Sequence, residues 1–390
     1  MINKIKEIET FMNTMYVERE EMVRGMLIAF IARQHILFVG APGTAKSAMV
    51  ADLSKCVTGT NYFQWLLTRF STPEELFGPV SLKALEQDTY KRNTQNKLPE
   101  AHIGFVDEIF KANSAILNAL LTLANERLFY NNGGIIQSPL FSIVGASNEW
   151  PEEGEGLEAL FDRFILRYEI GYIVGGNNFV TMLQGACPAQ RPTITLVELE
   201  QLQFHSEMMV TVPQDILEAL RDIRDGLRLE GIRPSDRRFR QVLSLLKASA
   251  TLDGRDVVVR KDLIILVHSL WVTPEANERD IVRRTVQDQA LDPVEKEITD
   301  LTDIIHDLAR SMDSSDMSDT KVVLEHSQKI KSLKMQVEKI PNGNTFPEVG
   351  KLLSILDEKR KSLATAPWAY SPRYSRTNDK VTATRHMSRC

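Results

Sequence analysis

Cysteine is scarce: Cys56, Cys187 and Cys390 are three in 390 residues, too few and too scattered for a disulfide framework or a thiolate metal site. That usage fits a reducing compartment. The seven histidines show no ligand spacing, so no structural metal is expected. Long hydrophobic runs are missing as well. The nearest, Met26 to Val39, is broken by Arg33, Gln34 and His35, and no charged-then-apolar leader precedes it. Neither a membrane span nor secretion is expected, and the expected location is cytoplasmic. Positive charge is not in excess either: 47 Lys and Arg against 52 Asp and Glu leave a net charge of −5 and a pI near 5.9. Such a chain has no overall basic signature of the kind that holds nucleic acid by counterion release. The exception is the end, where Arg373, Arg376, Lys380, Arg385 and Arg389 face only Asp379. Residues 366–390 therefore read as a basic, solvated and disordered tail.

What remains is an ordinary globular composition, 43% hydrophobic and 25% charged, in a chain long enough for two or three domains. Residues 1–34 carry an amphipathic helical pattern through Ile5, Ile8, Met12, Met15, Met22, Met26, Ala29 and Ile31. Three short apolar runs then read as buried parallel strands: Ile36-Leu37-Phe38-Val39, Ile103-Gly104-Phe105-Val106 and Phe141-Ser142-Ile143-Val144. Between the last two, Ile116, Leu117, Leu120, Leu121 and Ala124 share one helical face, with Asn113 or Ser114 placed to cap it. Strands alternating with helices predict an α/β domain with a parallel sheet over 1–175. Two hairpin-like insertions are expected, one polar over Phe77–Pro99 and one over Leu128–Leu140 with Asn131-Asn132-Gly133-Gly134 as its turn. Beyond the turn at Gly175-Gly176-Asn177-Asn178 and a Pro-containing link at Ala186–Thr195, strands are expected to stop. Residues 176–290 read as all-helical, on the stripes Ile216, Leu220, Ile223, Leu227, then Phe239, Val242, Leu243, Leu246, Ala250, then Leu263–Leu270. Residues 291–365 repeat a 3–4 spacing three times and predict a three-helix bundle, jointed at Met312–Asp319 and at Pro341-Asn342-Gly343-Asn344.

The chemistry is concentrated at strand ends. Gly40-Ala41-Pro42-Gly43-Thr44-Ala45-Lys46-Ser47 follows one strand and precedes a helix, as a phosphate-binding loop requires. Its N–H groups would cradle phosphates, Lys46 would reach the β- and γ-phosphates, and Ser47 would bind Mg²⁺. Ala48 completes the nucleotide-binding set. Ala45 stands where a second glycine is usual. Asp107 and Glu108 end the next strand, Asp107 placed to hold Mg²⁺ directly or through water and Glu108 to polarise the attacking water. Asn148 ends a third, where a neutral amide orients that water or simply caps a turn. Arg163 and the run Arg233-Pro234-Ser235-Asp236-Arg237-Arg238-Phe239 offer guanidinium groups, either for transition-state charge in a neighbouring molecule or for surface ion pairs.

These motifs, in this order, resemble the AAA+ ATPases, and the insertions resemble those of the MoxR branch, with the RavA-type regulatory ATPases as the nearest match. The resemblance rests on Arg69-Phe70-Ser71-Thr72-Pro73-Glu74-Glu75-Leu76-Phe77-Gly78-Pro79, Leu98-Pro99-Glu100-Ala101, Asp107-Glu108-Ile109-Phe110-Lys111-Ala112, Asn125-Glu126-Arg127, Ala146-Ser147-Asn148-Glu149 and Ser235-Asp236-Arg237-Arg238-Phe239. It spans about residues 10–290, and MoxR-type loops commonly carry alanine where Ala45 sits. It implies a homo-hexameric ring with ATP and Mg²⁺ between subunits. Arg163 would be the arginine finger, Asn148 sensor 1, Arg237 or Arg238 sensor 2, and Arg127 a further arginine acting in trans. It also implies a protein client and a partner carrying a von Willebrand factor A domain. RavA-type proteins carry an extra domain in a discontinuous helical region, and Met312–Thr320 is too short to hold one. Two other readings stay open: a nucleic-acid-directed NTPase motor of restriction or helicase type, which the acidic pI disfavours, and a scaffold that ATP only organises.

Overall fold

Each apolar run becomes a strand of one sheet in the computed structural model, which describes the chain apart from residues 152–156, 186–189, 315–319, 342, 344–345 and 365–390. The strands are β1 (His35–Gly40), β2 (Val57–Thr58), β3 (Tyr62–Leu66), β4 (Ile103–Asp107), β5 (Leu128–Asn131), β6 (Gly134–Gln137), β7 (Ser142–Ser147), β8 (Phe164–Ile170) and β9 (Ile194–Thr195). Five of them form a parallel sheet in the order β3-β4-β7-β1-β8. With helices on both faces, β1, β4 and β7 are buried almost end to end, which is why they read as continuous apolar runs. The fold is an AAA+ α/β core with a helical lid and a mostly helical C-terminal region.

The chain divides into two compact units, Met1–Leu291 and Asp292–Cys390. In the first, one apolar core runs from the sheet into the helices Leu196–Met208, Gln214–Leu229 and Asp236–Asp253. In the second, the helices Pro293–Ser314, Thr320–Glu338 and Pro347–Ala364 pack on one another through the repeated stripes, burying Ile298, Ile305, Ile330, Val337, Leu352 and Leu356.

Five expectations are corrected. The N-terminal pattern is two helices, Ile2–Met15 and Glu20–Ala32, because Glu18 turns left-handed at φ 58° and breaks the helix. Phe77–Pro99 is not a hairpin: it holds short helices at Leu82–Leu85 and Leu98–Glu100 and a single antiparallel bridge, Val80 to Arg92. The Asn131 side chain occupies the Arg92 backbone, accepting its N–H at 2.7 Å and donating to its carbonyl at 3.0 Å, so no ladder extends there. The Gly175–Asn178 stretch opens a helix, Gly176–Gln184, rather than forming a turn. Strands do not stop at 175, since β9 pairs in parallel with β2. Leu263–Leu270 is largely 3₁₀, over Arg260–His268. The second hairpin, β5 with β6, is present as read. The basic tail 366–390 and parts of the three expected joints lie outside the described residues. No helix among the described residues is long and apolar enough to cross a membrane.

One buried polar group ties the strands together. His35, at the start of β1, donates from Nε2 to the Ala124 carbonyl at 2.8 Å and accepts at Nδ1 from the Ile143 N–H at 2.9 Å. Burial, reinforced by the Arg127 charge, pushes its pKa down to about 4. The unfolded chain binds a proton at this histidine near pH 6.5 and the folded chain only near 4. The associated stability is therefore complete above pH 6.5 and is lost as pH falls towards 4. Urea unfolding of the chain at pH 5 is expected to show about 2 kcal/mol less stability than at pH 7 from this group. An imidazole still uncharged at pH 5 by NMR would identify the source.

Candidate functional site

β1, β4 and β7 are neighbours and end at the same edge of the sheet. Register pairs Val39 with Ser147 and Val106 with Gly145, so Gly40, Asp107 and Asn148 emerge side by side. Gly40 must be glycine, because a Cβ there would meet the Ile170 carbonyl oxygen at 2.1 Å. Gly43 adopts φ +80° with open space around it, the conformation that lets loop N–H groups turn inward. Ala45 also sits left-handed, at φ 66°, where alanine is about 1 kcal/mol less comfortable than glycine. The helix Lys46–Lys55 starts immediately after, its free N–H groups and dipole facing the loop.

Five side chains gather at this edge. The Lys46 ammonium donates to the carbonyls of Gly40 at 2.5 Å and Ala41 at 3.1 Å, and to Asn148 Oδ1 at 3.1 Å. The Asn148 amide nitrogen donates to Glu108 Oε1, and Lys111 pairs with Glu108 Oε2 at 3.2 Å. Glu108 is in the left-handed region at φ 52°, which turns its carboxylate away from the strand line towards Asn148. Asp107 Oδ1 accepts the Glu108 N–H at 3.0 Å. Burial raises the Asp107 carboxyl above its usual range, with the Glu108 charge adding to it and Lys46 opposing. Burial lowers the Lys46 ammonium, against the pull of Asp107 and Glu108. Such a group set suits a polyanion: a buried lysine and the free N–H groups of the helix start stand beside the Asp107 and Glu108 carboxylates.

Mg²⁺ takes oxygen donors, commonly one or two protein groups with the rest from phosphates and water. The Asp107 carboxylate and the Ser47 hydroxyl in the first turn of the helix are donors of that type. Among the described residues no cluster of three or more His, Cys, Asp or Glu could hold a metal unaided. The donor set thus fits a cation that arrives with phosphate oxygens.

The arginines lie elsewhere. β8 runs parallel to β1 with Phe164 opposite His35 and Ile170 opposite Gly40. Arg163 therefore stands at the start of the strands, about 20 Å along the sheet from the phosphate loop. There Asp162 gathers three guanidinium groups. It accepts from Arg238 at 2.7 Å, pairs with Arg237, and lies 3.6 Å from Arg163. Burial would raise the Asp162 carboxyl, but Arg238 and Arg237 outweigh it and hold it below the usual range. Arg163 Nε is buried without a partner, and burial followed by the Arg237 charge lowers its pKa. Beneath them Arg167, 1% exposed, lies 4.1 Å from the Phe161 ring and 4.8 Å from the Trp271 ring, fixing the short turn that carries Asp162.

Arg238 and Arg237 have different surroundings. The Arg238 side chain is 3% exposed and also donates to the Ser269 carbonyl at 2.7 Å, whereas that of Arg237 is 49% exposed. Arg238→Ala is expected to lower stability by roughly 3 kcal/mol in denaturant unfolding, while Arg237→Ala leaves stability within about 0.5 kcal/mol. Arg127 is in neither group. Its Nε donates to the Leu140 carbonyl at 2.9 Å and its Nη2 to the Arg33 carbonyl, so it clamps the chain ahead of β7 and β1. Burial lowers its pKa to about 10. Two of its donors are thus committed within the chain. Sequence reading missed Asp162 as the hub; the Asp-Arg pair beside it was the available signal.

A family model described as the MoxR domain of MoxR, von Willebrand factor A and β-propeller ternary systems matches residues 3–204, and one for an AAA lid domain matches 215–286. The chain belongs to the MoxR-type AAA+ ATPases. An uncharacterised protein of Methanocaldococcus jannaschii is 34% identical over 351 residues, 88% of this chain and 90% of that protein. A second from the same organism is 39% identical over 277 residues, 70% and 72% of the respective chains. The chaperone MoxR1 of Mycobacterium tuberculosis is 25% identical over 300 residues, 71% of this chain and 78% of that one. The crystal structure of a proposed ATPase from Cytophaga hutchinsonii covers 74% of this chain and 95% of its own at a TM-score of 0.61, with 18% identity, a likeness of fold. Both matched stretches of this MoxR-type chain lie within the first compact unit, Met1–Leu291.

Proposed function

We propose that this MoxR-type chain hydrolyses ATP with Mg²⁺ at the interfaces of a homo-hexameric ring and uses the cycle to remodel or activate other proteins. The observation that carries the reading is the split site. Lys46, Asp107, Glu108 and Asn148 share one end of the sheet, and Arg163 and Arg237 stand at the other. Stabilising a transferring phosphoryl group commonly takes an arginine, and an arginine finger contributes about 10³–10⁵ in rate. Strand register holds Arg163 and Arg237 away from the chain's own loop, which supports the reading that a neighbour supplies them.

In this reading the loop N–H groups and Lys46 bind and orient the phosphates. Asn148 holds Glu108 in place, and the Glu108 carboxylate accepts a proton from the attacking water. Bound Mg²⁺ would neutralise phosphate charge from Asp107 and Ser47. Arg163 and Arg237 of the adjacent subunit meet the charge that builds on the leaving oxygens, with Asp162 positioning both. Arg237 is preferred over Arg238 as sensor 2 because its guanidinium is half exposed. Nucleotide core 1–175, lid 176–290 and helical extension 291–365 are the parts that the cycle moves. The chaperone name of the Mycobacterium relative and the ternary-system description of the family support a protein client and a von Willebrand factor A partner. Lys46→Ala is expected to weaken ATP binding by about 100-fold in calorimetry, through loss of a charge-assisted contact to phosphate. Unchanged affinity would remove the loop from the site.

A further inference from the structure

The hairpin of β5 and β6 has one covered edge and one open edge. On the β5 side the Asn131 side chain holds the Arg92 backbone, and the Asn132 N–H donates to the Tyr90 carbonyl at 3.1 Å. Phe129 is buried and stacks on Phe77 with ring centroids 5.9 Å apart. At the base, Ser138 donates its N–H to the Arg127 carbonyl at 2.8 Å and its hydroxyl to the Pro99 carbonyl at 2.7 Å. The hairpin is thus pinned at its turn, on one face and at its base, while every residue of β6 is exposed.

Hydrogen-bond phase decides what the open edge offers. Asn132 and Gly133 are both left-handed, at φ 54° and 69°, and form a two-residue turn. The flanking pair, Asn131 with Gly134, is then hydrogen-bonded, Tyr130 with Ile135 is not, Phe129 with Ile136 is, and Leu128 with Gln137 is not. The bond from Ser138 to Arg127 falls at the next position and fixes the same phase. Ile135 and Gln137 therefore direct their N–H and C=O groups away from β5, at points about 6.8 Å apart along the strand. Among the described residues no backbone group bonds to them there. Residues 133–138 carry no charge and no proline, the devices that keep an edge from pairing. On the outer face Ile135 and Tyr130 stand opposite each other, 62% and 60% exposed, the start of an apolar row that a further strand would extend.

We propose that β6 takes an extended, unfolded segment of another protein as a third strand of the hairpin, bonded through the main chain of Ile135 and Gln137 and packed on Ile135 and Tyr130. The chemistry of the edge selects that occupant. An extended polypeptide repeats N–H and C=O at the spacing the edge presents. A nucleic acid would need cations, and residues 128–138 hold none. The β6 strand of a second copy would bring only the same four residues, far short of the roughly 800 Å² per partner of a stable interface. Main-chain bonding reads no side chains, so one edge serves many sequences, and a contact this small holds a chain briefly. The proposal rests on the protein-remodelling reading above for the source of such segments.

The probe is a fluorescent peptide of alternating Val and Thr with charged ends, titrated by anisotropy against the full chain loaded with ATPγS. A twin N-methylated along its core keeps the side chains and loses the donors, and is expected to bind roughly 10-fold more weakly or worse. Ile135→Pro removes one outward N–H and spares the β5 ladder, because that N–H makes no bond within the hairpin. It is expected to weaken peptide binding by about 10-fold or more, with thermal midpoint and ATPγS affinity matching the parent. Ile135→Val is expected to keep peptide affinity within about twofold. Equal binding of the two peptides, undiminished binding to Ile135→Pro, or no binding to the parent would each overturn the proposal. Self-association lost in Ile135→Pro while peptide binding persists would assign the edge to a second copy and overturn it as well. Should Ile135→Pro fail to fold, the two peptides on the parent decide alone. Peptide binding is read without turnover, so the two readings fail separately. A parent that binds peptide but never hydrolyses ATP sinks the hydrolysis reading and leaves the edge; one that hydrolyses ATP but ignores the peptide does the reverse.

Discussion

Glu108→Gln is expected to stop ATP turnover by at least about 10²-fold while leaving nucleotide binding in place, because removal of a general base acts on the chemical step. The amide keeps the shape of the carboxylate and can still bond to Asn148, so the loop, Lys46 and the helix start remain as they are. What it loses is the ability to accept a proton from water. The split between affinity and rate is the informative readout: ATP affinity by calorimetry stays within about threefold as turnover disappears. Equal loss of both would mean that Glu108 holds the site together and does not act on water. On the proposed function, the nucleotide-loaded variant is also the form in which a protein client is expected to be retained and recovered by co-purification.

Arg163→Ala is expected to be as inactive as Glu108→Gln, at a cost of about 10³-fold or more in turnover, the usual contribution of an arginine finger. Its own phosphate loop and acids are untouched, so the monomer binds ATP normally. The decisive measurement is a mixture of the two dead variants. A subunit carrying Arg163→Ala keeps its Glu108, and a neighbour carrying Glu108→Gln keeps its Arg163. In random head-to-tail rings about a quarter of the interfaces then hold one intact half from each, and turnover returns to that fraction. Arginine action within one chain predicts no recovery at any mixing ratio. Arg237→Ala, whose side chain shares Asp162 with Arg163, belongs to the same complementation group if it acts from the neighbour.

Much of the nucleotide end was legible because it is local. Gly40 to Ser47 carries its geometry in its own composition, and burial on both faces forces β1, β4 and β7 to be plain apolar runs. The helix Ser114–Glu126 showed its face and its Asn113 cap, whose side chain accepts the Ile116 N–H at 3.0 Å. The three-helix stripes of the second unit were readable for the same reason. What was missed depends on distant partners. β3 exists because Tyr62–Leu66 pairs with Ile103–Asp107, and its burial is patchy, so no run announces it. The helix Gly176–Gln184 looked like a turn because its cap is supplied by Glu18, far upstream.

By itself the amino-acid sequence determined where the chemistry-bearing residues lie: a glycine-containing loop between strand and helix, an acidic strand end, an asparagine at a third strand tip and a set of arginines, each legible from a few consecutive residues. Only the tertiary structure decided which of them stand together. Strand register sets Lys46, Asp107, Glu108 and Asn148 at one end of the sheet, and the parallel run of β8 carries Arg163 to the other. It also sorted three similar arginines. Arg238 is buried on Asp162 and Ser269, Arg127 is tied to the Leu140 and Arg33 carbonyls, and Arg237 keeps an exposed guanidinium. An arginine's use depends on burial and on the partners already claiming its donors, and both are properties of long-range packing that a local motif does not encode.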